Sequence, residues 1–187
     1  MNARQIILER MSNSPFGENE GTVSGAGSTL KNTKRTRKEI EPILKEYKVV
    51  NDAGCGDFHW MSKVDLTDVD YVGYDLVYHK QWEKYEQKFE VLDITVDKMR
   101  PCELIVCRDV LIHLPPELGI EALKLFRESG KYLLAPSYVY GANNGTIDDM
   151  NHQTNLEVYP YRLGQPIWTM GDNENGSHRY LGLWKLS

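Results

Sequence analysis

Cysteine is scarce in this chain of 187 residues. Cys55, Cys102 and Cys107 form no CxxC pair and no metal-ligand spacing. An odd, sparse count offers no disulfide framework and suits a reducing compartment. Long apolar runs are missing as well. The N-terminus, Met1 to Met11, carries charges inside its only apolar run. That pattern predicts neither a signal peptide nor a membrane span, and makes the cytoplasm the default location. An excess of positive charge is also absent, since 22 Lys and Arg against 27 Asp and Glu leave a formal charge of −5. Such a balance disfavours a protein whose main task is gripping a phosphate backbone, although one basic face can coexist with an acidic total. No internal repeat appears. A length of 187 residues with 41% hydrophobic and 26% charged residues fits one globular domain with a continuous core.

The informative stretch runs from Val49 to Leu76. It reads as a strand (Val49, Val50), a tight turn at Gly54-Cys55-Gly56, a helical segment, and a second strand from Tyr71 to Asp75. An apolar run that stops at glycines, with an acid about twenty residues later, is how a parallel α/β sheet holds a nucleoside. Glycine lets the backbone approach the ligand closely, and the later carboxylate can accept hydrogen bonds from ribose hydroxyls.

The flanking chain extends this pattern. Residues 1 to 28 read as a flexible arm with a short helix around Ile6 to Leu8, although Ser24 to Thr29 has the shape of a helix entry. Backbone N–H groups there could receive a carboxylate; a plain capped loop is the equal alternative. Leu30, Ile40, Ile43, Leu44 and Tyr47 recur at helical spacing and predict a helix from Thr29 to Tyr47, kinked or restarted at Pro42. Its basic patch, Lys31 to Lys38, is a solvated face unless one of its arginines, Arg35 or Arg37, pairs with a ligand carboxylate. Further strands are expected at Phe89 to Ile94, Glu103 to Val110 and Lys131 to Tyr138. Helical segments at Gln81 to Gln87 and after Pro115 separate them. A polar loop from Gly141 to Asn155 follows, long enough to act as a lid. Strands at Leu156 to Leu163, Gln165 to Met170 and Tyr180 to Leu186 close the chain. The expected fold is α/β: a doubly wound mixed sheet of five parallel strands plus a C-terminal antiparallel hairpin. All of it forms one domain, 1–187, with residues 1–48 as an arm and helix covering the ligand site.

Two features disfavour a dinucleotide. The turn continues Asp57-Phe58, so the third glycine of GxGxxG is missing. Acids also end the first three strands, at Asp52, Asp75 and Asp93, which suits a cationic ligand carrying a ribose and an adenine. S-adenosylmethionine fits that description. Gly27-Ser28-Thr29-Leu30 with Arg37, Gly54-Cys55-Gly56-Asp57-Phe58 with Trp60-Met61, Asp93-Ile94, Cys107-Arg108-Asp109 with His113-Leu114, and Leu181 to Trp184 carry a resemblance. The chain resembles the class I, Rossmann-like S-adenosylmethionine-dependent methyltransferases over Val49 to Leu186. More narrowly, it looks like a small bacterial and viral subgroup found among surface-glycan genes. The resemblance implies that Asp52, Ala53, Gly54 and Gly56 flank the methionine part of S-adenosyl-L-methionine, Asp75 and Leu76 the ribose, and Asp93 and Ile94 the adenine. Ser28, Thr29 and Arg37 would close over the carboxylate, and Arg108 and Asp109 would lie where donor meets acceptor. Asp57, standing before the departure at Phe58, is a further candidate contact.

For a hydroxyl acceptor a base must take the proton. Asp109 and His113 are four apart, on one face of a helix if that segment is helical, and are the candidate catalytic pair. His152, His178, Tyr138, Tyr140, Tyr159, Tyr161 and Trp168 could line an acceptor pocket or belong to loop and core. The turn Arg108-Asp109-Val110-Leu111 lacks the Asp/Asn-Pro-Pro-aromatic pattern of amino-methylating DNA enzymes. Cys102 lies on the wrong rim for a cytosine-C5 nucleophile. No metal site is expected; Asp148-Asp149 is the one carboxylate pair, better read as a solvated loop. The expected function is methylation of a sugar hydroxyl in a glycan or glycan precursor. The alternatives are modification of a nucleotide or nucleic acid, and a non-catalytic cofactor-binding partner subunit.

Overall fold

The computed structural model describes residues 3–13, 17–140, 143–146, 152–171 and 178–186. Seven strands make one sheet: β1 (Val49–Ala53), β2 (Asp70–Asp75), β3 (Lys88–Val91), β4 (Cys102–Val106), β5 (Gly130–Tyr138), β6 (Trp168–Gly171) and β7 (Arg179–Lys185). Their spatial order is β3-β2-β1-β4-β5-β7-β6. The first five strands are parallel, β7 inserts antiparallel beside β5, and β6 pairs antiparallel with β7. The expected sheet is therefore the observed one.

Alternation along the central strands feeds two cores. On β4, Leu104 and Val106 join one cluster while Ile105 joins the other; on β5, Leu134 faces against Leu133 and Ala135. A side chain every second residue points to each face, so the near-continuous apolar run of β4 marks a strand covered on both sides. Helix α2 (Lys34–Leu44) covers one face with Ile40, Ile43 and Leu44. Helix α3 (Pro116–Ser129) covers the other with Ala122, Leu123 and Phe126, where Ile7 of α1 (Ala3–Ser12) also packs. The chain crosses from β3 to β4 at the sheet's middle, next to β1. That reversal of strand order opens a crevice at the carboxyl ends of β1 and β4.

Several expected elements differ. The segment after the glycine turn is not a helix but a single 3-10 turn, Met61–Lys63. Gly56 and Phe58 both have left-handed φ, 57° and 63°, which interrupts helical winding. Phe58 is instead a core plug, ringed by Tyr71, Tyr85 and Phe89 at 4.9–5.3 Å. The segment expected from Gln81 to Gln87 is a shorter 3-10 turn, Lys80–Lys84. Helix α2 begins at Lys34 rather than Thr29; Thr29 to Thr33 form a separate turn in which the Thr33 hydroxyl and amide both donate to the Thr29 carbonyl. It runs through Pro42 and ends two residues later. Leu156 to Leu163 is not a strand: the Leu163 N–H returns 2.9 Å to the Leu156 carbonyl, closing the segment on itself. Residues 147–151, with Asp148 and Asp149, lie outside the described residues, as do Gly141 and Ala142 of the same long loop.

Candidate functional site

Glycine at 54 and 56 is required twice over. Both positions have φ in the left-handed region, and a Cβ at Gly54 would stand 2.1 Å from Val110, one at Gly56 2.3 Å from Ser24 Oγ. The turn is thus pinned between the loop after β4 and the N-terminal arm. Its own amides face the end of β2: Gly54 and Cys55 donate to the Tyr74 carbonyl and Gly56 donates to Asp75 Oδ2 at 2.9 Å.

Above this turn lies a cavity of about 500 Å³, within the usual size of small-molecule sites. Gly54, Gly56, Asp75, Leu76, Asp93, Ile94, Arg108, Asp109, His113 and Ser28 all line it. Ten of the expected residues are therefore gathered from five separate stretches of chain. The strand ends explain this, since β1, β2, β3 and β4 all deliver their following loops to one rim.

Five others do not line the cavity. Thr29 is buried, its hydroxyl accepting from the Asn32 amide. Arg37 donates to the Leu30 carbonyl at 2.9 Å and to Thr33 Oγ1, which turns its fork into the base of the 24–33 loop. Ala53 is sealed in the core. Asp52 lies beneath the turn with its carboxylate 2.6 Å from the Tyr71 hydroxyl. Burial pushes the Asp52 carboxyl up to about 7, against the lowering effect of that hydrogen bond. Asp57 is a strut: it accepts from Thr22 Oγ1, Val23 N and Ser24 Oγ at 2.8–3.0 Å, while its own amide donates to Ser24 Oγ. The missing third glycine thus coincides with a carboxylate that ties the arm to the turn.

The arm itself was underestimated by composition. Arg4, Ile7, Met11 and Ser12 of α1, with Val23 to Ser28, form part of the cavity wall. Arg4 reaches Asp93 Oδ2 with Nε at 3.1 Å and a terminal nitrogen at 2.9 Å. Burial works against the Asp93 carboxylate, but hydrogen bonds from Thr95 and the Arg4 ion pair outweigh it and hold it below the usual range. Only Ile7, in the apolar patch Ile6 to Leu8, signalled in the sequence that this helix docks.

At the opposite end Asp109 sits between two guanidiniums. Arg108 approaches it at 2.9 Å and Arg179, from the start of β7, also donates to it. Burial alone would raise the Asp109 carboxyl, yet Arg108, Arg179 and His113 together hold it below the usual range. Asp109 has φ 61°, and a Cβ at Gly27 would meet its Oδ2 at 3.4 Å, so the arm and the post-β4 loop touch here. Arg108 donates to the Gly27 carbonyl at 3.2 Å and lies over the Trp60 ring, 5.4 Å from its centre. Its side chain is 7% exposed and its Nε has no hydrogen-bond partner among the described residues. His113 ends a 3-10 turn, Leu111–His113, rather than sharing a helix face with Asp109, but both line the cavity. Arg179 and His79 also line it and were not singled out in the sequence. His152 and Tyr161 are buried, Tyr140 and Tyr159 are 65% and 70% exposed. None of these four, nor Tyr138, Trp168 or His178, is among the lining residues.

No protein-family model and no curated protein matches the sequence. Solved structures match the fold. Magnesium protoporphyrin IX methyltransferase from Synechocystis PCC 6803, with bound SAM, superposes with TM-score 0.73 over 100% of this chain and 98% of its own, at 13% identity. N-methyltransferase NodS from Bradyrhizobium japonicum WM9, in complex with S-adenosyl-L-homocysteine, gives 0.71 over 99% and 98% at 11% identity. The Burkholderia thailandensis 1,6-didemethyltoxoflavin-N1-methyltransferase gives 0.68 over 97% and 88% at 12%. The fold is that of the class I S-adenosylmethionine-dependent methyltransferases. Within that fold the cavity lies at the carboxyl ends of the parallel strands, where α/β sheets bind ligands.

Proposed function

We propose that this protein is an S-adenosylmethionine-dependent methyltransferase. The carrying observation is the single cavity wall that combines the Gly54–Gly56 turn, the Asp75 and Asp93 carboxylates and the Arg108 guanidinium. Those groups match the parts of the cofactor. Asp75 suits ribose hydroxyls and Asp93 with Ile94 an adenine edge. The orphaned Arg108 Nε, beside the Ser24–Ser28 loop, suits a carboxylate. Arg108 therefore takes the part expected of Arg37. Bound there, S-adenosylmethionine would supply an electrophilic methyl group on a sulfonium.

The chain's own part is alignment and proton removal. Positioning two reactants can supply roughly 7–11 kcal/mol, and the Gly54–Gly56 turn, Asp75, Asp93 and Arg108 are placed for it at or just beyond strand ends. Asp109, doubly paired and held ionised, is a poor proton acceptor; it orients Arg108 and Arg179. His113 is the base of this reading. The acceptor is a sugar hydroxyl of a glycan or glycan precursor, a choice that rests on the resemblance to glycan-associated methyltransferases and on the polar end formed by His113, Asp109 and Arg179. Calorimetry with S-adenosylmethionine and S-adenosylhomocysteine, with NAD as control, tests the cofactor. Micromolar binding of both without NAD supports it, and no binding refutes it. Methyl consumption over sugar acceptors then tests the chemistry, and binding without turnover would favour a partner subunit. One observation favours a second acceptor class: Lys31, Lys34, Arg35 and Lys38 are all exposed on or just before α2. Nucleic-acid affinity falling steeply with salt would support it.

A further inference from the structure

His79 stands four residues beyond Asp75, in the loop between β2 and the 3-10 turn Lys80–Lys84, and its side chain is only 14% exposed. Its ring is held in place. It packs on Trp82 at 5.4 Å with a tilt of 57°, and the Trp82 indole is itself fixed by donating to the Gly56 carbonyl at 2.8 Å and by stacking on Phe89. So the histidine is positioned by the same turn that shapes the cavity. Its Nε2 lies 3.5 Å from Asp75 Oδ1, is inaccessible to solvent and has no hydrogen-bond partner among the described residues. Leaving a buried polar nitrogen unpaired is costly, so such a group beside a cavity calls for a partner that enters it.

The chemistry of Asp75 says what that ligand group is. A carboxylate only accepts, at about four lone-pair positions. Two are filled, by Gly56 N on Oδ2 and by Val77 N at 3.2 Å on Oδ1. The remaining two match the two protons of a ribose cis-diol. The hydroxyl oxygens then still need a donor, which no carboxylate can provide. His79 Nε2 sits beside the same Oδ1 edge, and His79 lines the same cavity.

We propose that His79 is a binding residue for the ribose of the cofactor: its Nε2–H donates to a hydroxyl whose own proton goes to Asp75, so that the pair selects a ribonucleoside over a deoxyribonucleoside. The inference rests on the cofactor reading above and adds to it a residue and a selectivity. No bond is made or broken in this step.

Calorimetry with S-adenosylhomocysteine and its 2′-deoxy and 3′-deoxy counterparts tests it, on the full chain with matched melting curves. His79→Phe keeps a ring against Trp82 and removes the donor. It should weaken S-adenosylhomocysteine about fivefold to tenfold, the loss expected for one hydrogen bond, and leave binding of one deoxy counterpart nearly unchanged. His79→Gln, which retains an N–H donor, should recover part of the loss. Equal weakening of all three ligands would make the histidine a packing residue, and no weakening would remove it from the site; either overturns the inference while leaving the cofactor reading intact. Wild-type protein that binds none of the three overturns both.

Discussion

A side chain's surroundings, more than its type, decide its part at this site. Asp52, Asp75, Asp93 and Asp109 all stand at or just beyond strand ends, yet Asp52 is buried under the turn while the other three line the cavity, Asp75 held by the turn's Gly56 amide, Asp93 paired with Arg4 and Asp109 clamped by two arginines. His113→Ala should lower turnover about 10²–10⁴-fold with cofactor affinity unchanged, measured by single-turnover kinetics and calorimetry. Full activity would remove it as the base. The two arginines separate cleanly. Arg108→Ala should weaken S-adenosylhomocysteine about tenfold or more, since a charge-assisted bond is worth about 1.5–3 kcal/mol. The same change should matter far less for 5′-methylthioadenosine, which lacks the carboxylate. Arg37→Lys, by contrast, should lower the melting temperature by a few degrees and move affinity little, because its fork holds the 24–33 loop. A tenfold affinity loss in Arg37→Lys would restore it to the carboxylate.

Helix α1 is the least firmly docked element of the cavity wall. Ile7 is its buried side chain, worth about 1.5–3 kcal/mol. The Arg4–Asp93 pair, with Arg4 45% exposed, adds at most about 1 kcal/mol after screening. The arm after α1 is better anchored, through the Asp57 strut. Amide exchange through residues 3–12 should therefore be faster than through residues 22–28, and Ile7→Ala should accelerate it more than Arg4→Ala does. Because both regions line one cavity, S-adenosylhomocysteine should slow exchange in each. Faster exchange in Arg4→Ala than in Ile7→Ala would show that the ion pair, not the buried side chain, holds the helix.

For the molecule as a whole, Asp52 couples stability to pH. Its folded value, about 7, lies above the 3.8 of an unperturbed carboxyl. Between those values the folded state binds the extra proton, so stability falls as pH rises from about 4 to about 7. For one group shifted this far the change is roughly 3–4 kcal/mol across the window. Asp52→Asn should remove that slope while preserving the Tyr71 hydrogen bond, read as the difference between wild-type and variant denaturation midpoints at pH 4.5 and 7.5. Parallel pH profiles would mean that Asp52 ionises normally.

The strand pattern was legible because burial on one or both faces leaves a mark every second residue. The apolar run Glu103 to Val110 and the run Tyr180 to Leu186 place β4 and β7 without any tertiary information, although β4 ends at Val106, where its chain turns into the cavity rim. The glycine turn and the acids beyond it were legible for a similar reason: left-handed φ and strand ends constrain residue type locally. What the sequence could not settle was direction. Arg37 and Arg108 are equally suited to a carboxylate, and only packing turned the first into the α2 entry and the second over Trp60 toward the cavity. Phe58 offered the same choice, and the aromatic cluster around it, assembled from β2, β3 and the 80–85 turn, decided for a core plug over a helix. Local chemistry sets which elements form and which groups can bind. Which of those groups meet in one cavity depends on contacts between residues far apart in the chain, such as Arg4 with Asp93 and Arg179 with Asp109, and these exist only once the sheet has brought its strand ends together.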